Sequence, residues 1–137
     1  MTEWQSGIVE TGEKRKASHF KELLVWQKGM ELAELVYRLT QKFPSDERFG
    51  LVSQMRRAAV SVPSNIAEGQ ARKSTREFLQ FISHAMGSLA EVETQVVLGE
   101  RLGHCQPQDT VDIHKLTADL DRMLKALRRS LIAGPSD

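Results

Sequence analysis

The chain has 137 residues, a length that suits one compact domain. Hydrophobic residues make up 40% of it and aromatic residues only 6%, so a core would consist mainly of Leu, Val, Ala and Met side chains. The 19 basic and 18 acidic side chains nearly cancel, to a net charge of +1, which excludes a protein coated in positive charge. Any nucleic-acid role must therefore depend on local clusters of basic residues.

The sequence also indicates where the protein works. Its single cysteine, Cys105, excludes an intrachain disulfide and fits a reducing compartment. No apolar run approaches the roughly 20 residues that span a bilayer, and the N-terminal sequence lacks the apolar stretch of a signal peptide. We therefore expect a cytoplasmic protein with no membrane partner.

The first segments differ sharply in hydrophobic periodicity. Residues 1–18 show little periodicity and are predicted to form a flexible N-terminal tail. A bundle domain is predicted over residues 19–132, followed by a C-terminal tail over residues 133–137. The first helix is predicted over residues 20–43, where apolar residues recur at three- and four-residue spacing in two adjacent stripes, and Pro44 ends it.

The second helix contains a proline. It is predicted over residues 46–68, with Gly69 as its C-terminal stop. Pro63 lies well inside it, where proline removes a backbone hydrogen bond and costs about 3 kcal/mol in a regular helix. Because the apolar spacing continues in phase through Pro63 to Ile66, we predict one helix kinked at Pro63 rather than two shorter helices.

Two further helices follow, both with heptad spacing. The third begins at the stretch from Ser74 to Glu77, which has the spacing of a capping box. Its apolar residues alternate steps of four and three, as in a heptad seam, and Gly103 ends it. Pro107 opens a fourth helix that continues to Leu131. Four long helices with short connections predict an all-α, antiparallel, up-down-up-down four-helix bundle.

Three glycines lie inside the predicted helices, where each costs about 1 kcal/mol relative to alanine. They are Gly29, Gly87 and Gly99. Such a cost indicates close approach of another helix. The run of Gly87, Ser88 and Ala90 makes a flat helix face that would suit packing against another helix, in this chain or in another subunit.

Basic residues concentrate in two places. Residues 54–76 contain five basic side chains and one acid, a net charge of +4, and the fourth helix has a run of four basic side chains over residues 122–129 with no acid between them. Clustered Arg and Lys near a helix start can hold phosphates through charge, forked hydrogen bonds and free backbone N–H groups. The candidate nucleic-acid-binding residues are therefore Arg56, Arg57, Arg72, Lys73, Arg76, Arg122, Lys125, Arg128 and Arg129.

Two observations weigh against that interpretation. A charge run on a bundle helix commonly forms a solvated face that serves only solubility, and this stays the alternative. Neither cluster contains interleaved aromatic residues of the kind that stack on bases.

The sequence predicts no catalytic residue, no metal site and no cofactor. A di-metal bundle needs Glu-x-x-His on two helices, and here no Glu is followed three positions later by His. Glu91 and Glu93 are two residues apart, so they point to different faces of their helix. His104 and Cys105 are adjacent but lack the further ligands that a zinc site requires.

Three stretches of the chain, residues 20–44, 46–81 and 87–103, carry a family resemblance. Within the second, the sequence RRAAVSVPSNIAEG is close to a signature. These stretches resemble the bacterial four-helix bundle family named for 23S rRNA intervening-sequence proteins. That family is similar to the accessory protein of diversity-generating retroelements, a homopentamer with a basic nucleic-acid-binding surface.

The resemblance implies an antiparallel bundle that forms a homo-oligomer, a pentamer by family analogy, and binds RNA or DNA. The positions that match the family's basic residues are Arg56, Arg57, Arg72, Lys73 and Arg76. We therefore predict a non-enzymatic, oligomeric, nucleic-acid-binding protein. The alternative is a structural adaptor that recruits a protein partner through a ring or an exposed apolar face.

Overall fold

A computed structural model describes residue 20 and residues 23–134. This part of the chain folds into four α-helices, with a short 3₁₀ helix at Ser45–Glu47 between the first two. The predicted N-terminal tail and most of the predicted C-terminal tail lie outside the described residues, so those two boundaries stay predictions. The helices are α1 (Leu24–Thr40), α2 (Leu51–Ala71), α3 (Thr75–Arg101) and α4 (Pro107–Ala133).

The helices pack antiparallel, as residue pairs along their interfaces show. Gly29 of α1 lies against Pro63, while Arg56 reaches Thr40, so later residues of α1 meet earlier residues of α2. Pairs between α2 and α3, and between α3 and α4, run in the same reversed order. Because α1 also packs against α4, the ring of neighbours closes, and the predicted up-down-up-down four-helix bundle is confirmed.

The predicted apolar stripes meet along the bundle axis and form one core. Leu32 of α1, Met55 and Ile66 of α2 and Leu120 of α4 are fully buried there. The heptad seam of α3 is buried along its whole length, through Phe78, Ile82, Ala85, Leu89, Val92 and Val96. Burial of this apolar surface is the main force that holds the bundle together.

The α1–α2 connection is longer than the periodicity predicts. Helix α1 ends at Thr40, three residues early, and Thr40 donates its hydroxyl hydrogen bond back to the Val36 carbonyl. Phe43 is buried outside the helix. Helix α2 begins at Leu51 rather than residue 46, because residues 45–47 form the 3₁₀ helix. The Glu47 carboxylate of that 3₁₀ helix accepts a hydrogen bond from the Leu51 backbone N–H at the start of α2.

Helix α2 continues through its proline. It is unbroken from Leu51 to Ala71, so the single helix predicted across Pro63 is confirmed, while the bend at that residue stays a prediction. Pro63 is buried, and its Cβ lies 3.2 Å from the place where a side chain on Gly29 would begin. A glycine on α1 therefore makes room for the prolyl ring.

The prediction that Gly69 stops α2 is wrong, because the helix runs two residues further. Gly69 is buried under α3 instead. A Cβ at this position would lie 2.8 Å from Cβ of Phe81 and 2.9 Å from Cδ1 of Phe78. The missing side chain serves close helix packing rather than termination.

The three glycines inside helices have different surroundings. Gly29 faces Pro63 of α2, which confirms the predicted approach of another helix. A Cβ on Gly99 would come within 2.9 Å of the Phe43 ring, so this glycine makes room for the α1–α2 connection instead. Gly87 meets nothing within 4 Å, and no described element packs against it. Gly103, at φ +75°, follows the last turn of α3 and ends that helix as predicted.

Candidate nucleic-acid interface

The turn between α2 and α3 is short, basic and capped. Ser74 precedes the first residue of α3, and its Oγ accepts a hydrogen bond from the Glu77 N–H at 3.1 Å. The same hydroxyl donates to the Glu77 carboxylate at 3.0 Å. One of the two hydrogen bonds of the predicted capping box is therefore present, from the Glu77 N–H to the Ser74 side chain. The Glu77 carboxylate bonds the Ser74 hydroxyl rather than the Ser74 backbone N–H.

Arg72 is held at this turn by weak contacts on three sides. Its guanidinium lies 5.0 Å from the centre of the Phe81 ring, and it pairs with Glu68 and Glu77 at 3.9 Å each. All three charged side chains are about half exposed. Exposed pairs of this length contribute about 0–1 kcal/mol, so a phosphate can compete for the guanidinium at small cost.

Lys73 and Arg76 complete the turn. Both side chains are exposed, and neither forms an ion pair with any residue in the described part of the chain. They flank the N-terminus of α3, where the helix dipole and the unbonded N–H groups of the first turn favour anions. The turn thus combines two uncommitted cations with a favourable helix end.

The structure separates Arg56 from this turn. Arg72, just past the end of α2, follows Arg56 by sixteen residues, which is about 24 Å along a helix. Arg56 donates from Nε to Thr40 Oγ1 at 2.9 Å and stacks 4.5 Å from the centre of the Tyr37 ring, so it joins α2 to α1. Its neighbour Arg57 is exposed and has no ion-pair partner among the residues described.

The basic run of α4 is partly neutralised within its own helix. Arg122 pairs with Asp119 at 3.0 Å, and Lys125 pairs with Asp121 at 2.8 Å. Both acids lie just before Arg122 in the sequence. A charge count that begins at Arg122 leaves them out and therefore overstates the positive charge of this part of α4. Helical spacing of three and four residues brings each pair together.

The remaining two residues of the basic run on α4 also have contacts of their own. Arg128 is half-buried and donates from Nη1 to the Met86 sulfur of α3 at 3.5 Å. Arg129 is exposed and also has an interaction partner. Of the predicted residues, those at the α2–α3 turn are therefore the ones that the structure gathers into one basic site.

Polar groups at the opposite end of the bundle tie the loops together. His104 hydrogen-bonds Glu47 at 2.8 Å, and Lys42 pairs with Asp109 at 3.1 Å. Burial raises the pKa of the nearby Cys105 thiol, which keeps it protonated and a poor nucleophile. Across the described residues, no group of three or more His, Cys, Asp or Glu side chains is arranged to hold a metal ion.

Sequence reasoning missed one side chain at the turn. The Phe81 ring packs beside Arg72 although no aromatic residue occurs within residues 54–76. Phe81 stands three residues past the first heptad position, off the seam of α3. A large apolar side chain in that position indicates that a second surface of α3 is used, but the pattern does not place its ring beside Arg72.

The fold and the turn together define a class: all-α four-helix bundles with a basic helix–helix turn. Among the residues described, no helix has both the length and the apolar character to cross a membrane. A family model described as 23S rRNA-intervening sequence protein matches residues 21–126. The chain belongs to that family, which confirms the resemblance seen in its sequence.

A solved structure supports the fold independently. The chain is similar to a Bacteroides thetaiotaomicron protein of unknown function from the S23 ribosomal protein family, with a TM-score of 0.70 and 19% sequence identity. The match covers 77% of this chain and 99% of the other. No curated protein matches the chain. At this identity the likeness extends to the fold alone.

Proposed function

We propose that this protein is a non-enzymatic, cytoplasmic, oligomeric protein that binds RNA or DNA through phosphate contacts at the α2–α3 turn. One observation carries the proposal: Lys73 and Arg76 are exposed and without an ion pair among the described residues, beside the capped N-terminus of α3. Arg72 adds a guanidinium oriented by the Phe81 ring. Guanidinium and ammonium groups bind phosphate through charge-assisted hydrogen bonds.

Assembly of several copies would make this small site effective. Each copy contributes only a few cations, and linking identical weak sites multiplies their combined affinity. The homopentamer that the family resemblance implies would present five such turns. Light scattering would then give a mass about five times the 15.5 kDa of one chain, and a monomer would contradict this part of the proposal.

A charge-removal experiment tests the site. The double variant Arg72→Ala with Lys73→Ala should weaken binding to an RNA stem-loop and flatten the dependence of log K on log[salt], because it removes two phosphate contacts. Arg122→Ala with Lys125→Ala is the matched control, since it removes the same charge from α4, where the two cations pair with acids at 3.0 and 2.8 Å, closer than the 3.9 Å pairs of Arg72. Filter binding at low salt that retains neither RNA nor DNA would overturn the proposal.

A second candidate function is supported by one exposed ring. Phe49, in the α1–α2 connection, exposes 89% of its surface, and aromatic side chains are enriched at contacts between proteins. The protein would then act as an adaptor. A protein recovered in a nuclease-treated pull-down with wild type, but lost with Phe49→Ser, would favour this candidate.

A further inference from the structure

We propose that the bound nucleic acid is single-stranded, with a phosphate at the α2–α3 turn and the adjoining nucleoside in a groove between α2 and α3. The inference rests on the proposed function and adds the kind of strand that this site recognises. It is carried by the shape, the lining and the position of that groove.

The groove is an open surface depression of about 520 Å³ rather than an enclosed cavity, so it can hold part of an extended strand but does not surround a ligand. It extends from Phe81 to Glu91 along α3, which is about 15 Å of helix. Hydroxyl, amide, imidazole and carboxylate groups line it, from Ser61, Asn65, Ser83, His84, Ser88 and Glu91.

Small residues create the recess. Ser61 of α2 and Ser88 of α3 join across the helix interface with their Oγ atoms 2.8 Å apart. Gly87 lies beside them, and apart from its own stretch of helix backbone no described atom comes within 4 Å of the place where its Cβ would be. The glycine that no described helix covers is therefore part of the groove surface.

The groove and the basic turn share one side chain. Phe81 lines the groove, and the guanidinium of Arg72 lies 5.0 Å from the centre of the same ring. His84 is exposed, and its ring centre is 6.1 Å from that of Phe81. A strand whose phosphate contacts Arg72 would thus place its next nucleoside beside two rings on which a base can stack.

The polar groups suit a base and a sugar better than a second phosphate. Asn65 donates from Nδ2 to the Ser61 carbonyl and hydroxyl at 2.8 Å each, which leaves its Oδ1 as an acceptor. Glu91 is exposed and forms no ion pair with a described residue. A carboxylate repels phosphate and accepts hydrogen bonds from amino groups or sugar hydroxyls, so the charges orient the strand.

Such a site discriminates against a duplex. In a double helix each base is stacked between neighbours and paired, so it cannot enter a recess between two protein helices. Unpaired nucleotides can be splayed out, stacked on aromatic side chains and hydrogen-bonded at their edges. The basic turn alone would bind either form, whereas the turn together with the groove favours an unpaired strand.

The test fills the groove without changing charge. Gly87→Leu places an apolar side chain in open space and replaces a poor helix former, so the bundle should still fold. Fluorescence anisotropy at one salt concentration would compare the binding of a 12-nucleotide single strand with that of a duplex of the same sequence. Twelve base pairs are slightly more than one turn of the double helix. Gly87→Ala, which adds only a methyl group, is the matched control.

We expect Gly87→Leu to weaken single-strand binding about tenfold, equivalent to the loss of one stacked base, and to leave duplex binding and the salt dependence unchanged. Arg72→Ala with Lys73→Ala should instead weaken both forms. If Gly87→Leu changes neither form, the groove inference fails while the basic turn stands. If wild type binds no nucleic acid at low salt, the groove inference and the proposed function fail together.

Discussion

At the scale of single residues, a glycine inside a helix has no single meaning here. Gly69 lies directly under Phe78 and Phe81, whereas Gly87 opens onto a groove. From the sequence, Gly69 was predicted to end a helix and Gly87 to allow another helix to approach, and neither prediction describes its surroundings. Only the distance to the neighbouring helix separates a glycine that packing requires from one that packing leaves uncovered.

This contrast predicts opposite effects of one substitution. Gly69→Ala would place a Cβ 2.8 Å from Cβ of Phe81, and overpacking of this kind costs about 1–3 kcal/mol. Gly87→Ala meets no atom and should raise the free energy of unfolding by about 0.5–1 kcal/mol. Urea denaturation of both variants measures the difference, and equal stability of the two would contradict the packing argument.

At the scale of elements, the α2–α3 hairpin combines the features that the site needs. Helix α2 ends at Ala71, Ser74 caps α3, and the two intervening residues, Arg72 and Lys73, are both basic. Arg76 follows in the first turn of α3. A cap that sets where α3 begins therefore also sets the spacing of the cations.

Removal of this cap should cost stability in a predictable amount. Ser74→Ala deletes the acceptor for the Glu77 N–H, and loss of an N-cap side chain costs about 1 kcal/mol. Ser64→Ala is the matched control because Ser64 is exposed in the middle of α2, and its side chain has no partner among the residues that the structure describes. Chemical denaturation should show a loss for the first variant and no loss for the second.

At the scale of the whole molecule, the two ends of the bundle differ in chemistry. One end carries the basic turn, and the other is joined by the Glu47–His104 and Lys42–Asp109 pairs. The hydrogen bond from His104 is the main cause that lowers the pKa of Glu47. The pKa of Asp109 is also lowered, mainly by the hydrogen bond that its carboxylate accepts from the Gln106 backbone N–H.

The lowered pKa values of Glu47 and Asp109 predict that the folded protein loses stability in acid. A carboxyl group whose pKa is lower in the folded state contributes stability above its unfolded pKa, near 4, and that contribution is lost as the pH falls through the folded value. The denaturation midpoint should therefore fall as the pH is lowered below about 4. Glu47→Gln should reduce this dependence, because it removes the carboxyl group that His104 hydrogen-bonds.

Much of the bundle follows from local pattern alone. Apolar residues at heptad spacing, Pro107 at a helix start and Gly103 at a helix end predicted four helices and their order, because such signals act within a few residues. The basic residues of the α2–α3 turn were also visible as a cluster. The bounds of α1 and α2 were less predictable, since Phe43 and Glu47 turn away from helical geometry to make contacts distant in sequence.

By itself, the sequence determined the fold class and the family, because hydrophobic period and a signature segment are properties of adjacent residues. Tertiary structure decided which cations are free. Arg56 is committed to Thr40 and Tyr37, whereas Lys73 has no ion pair in the described part of the chain. It also formed the groove beside Phe81, because a recess exists only where two helices distant in sequence meet with small residues between them.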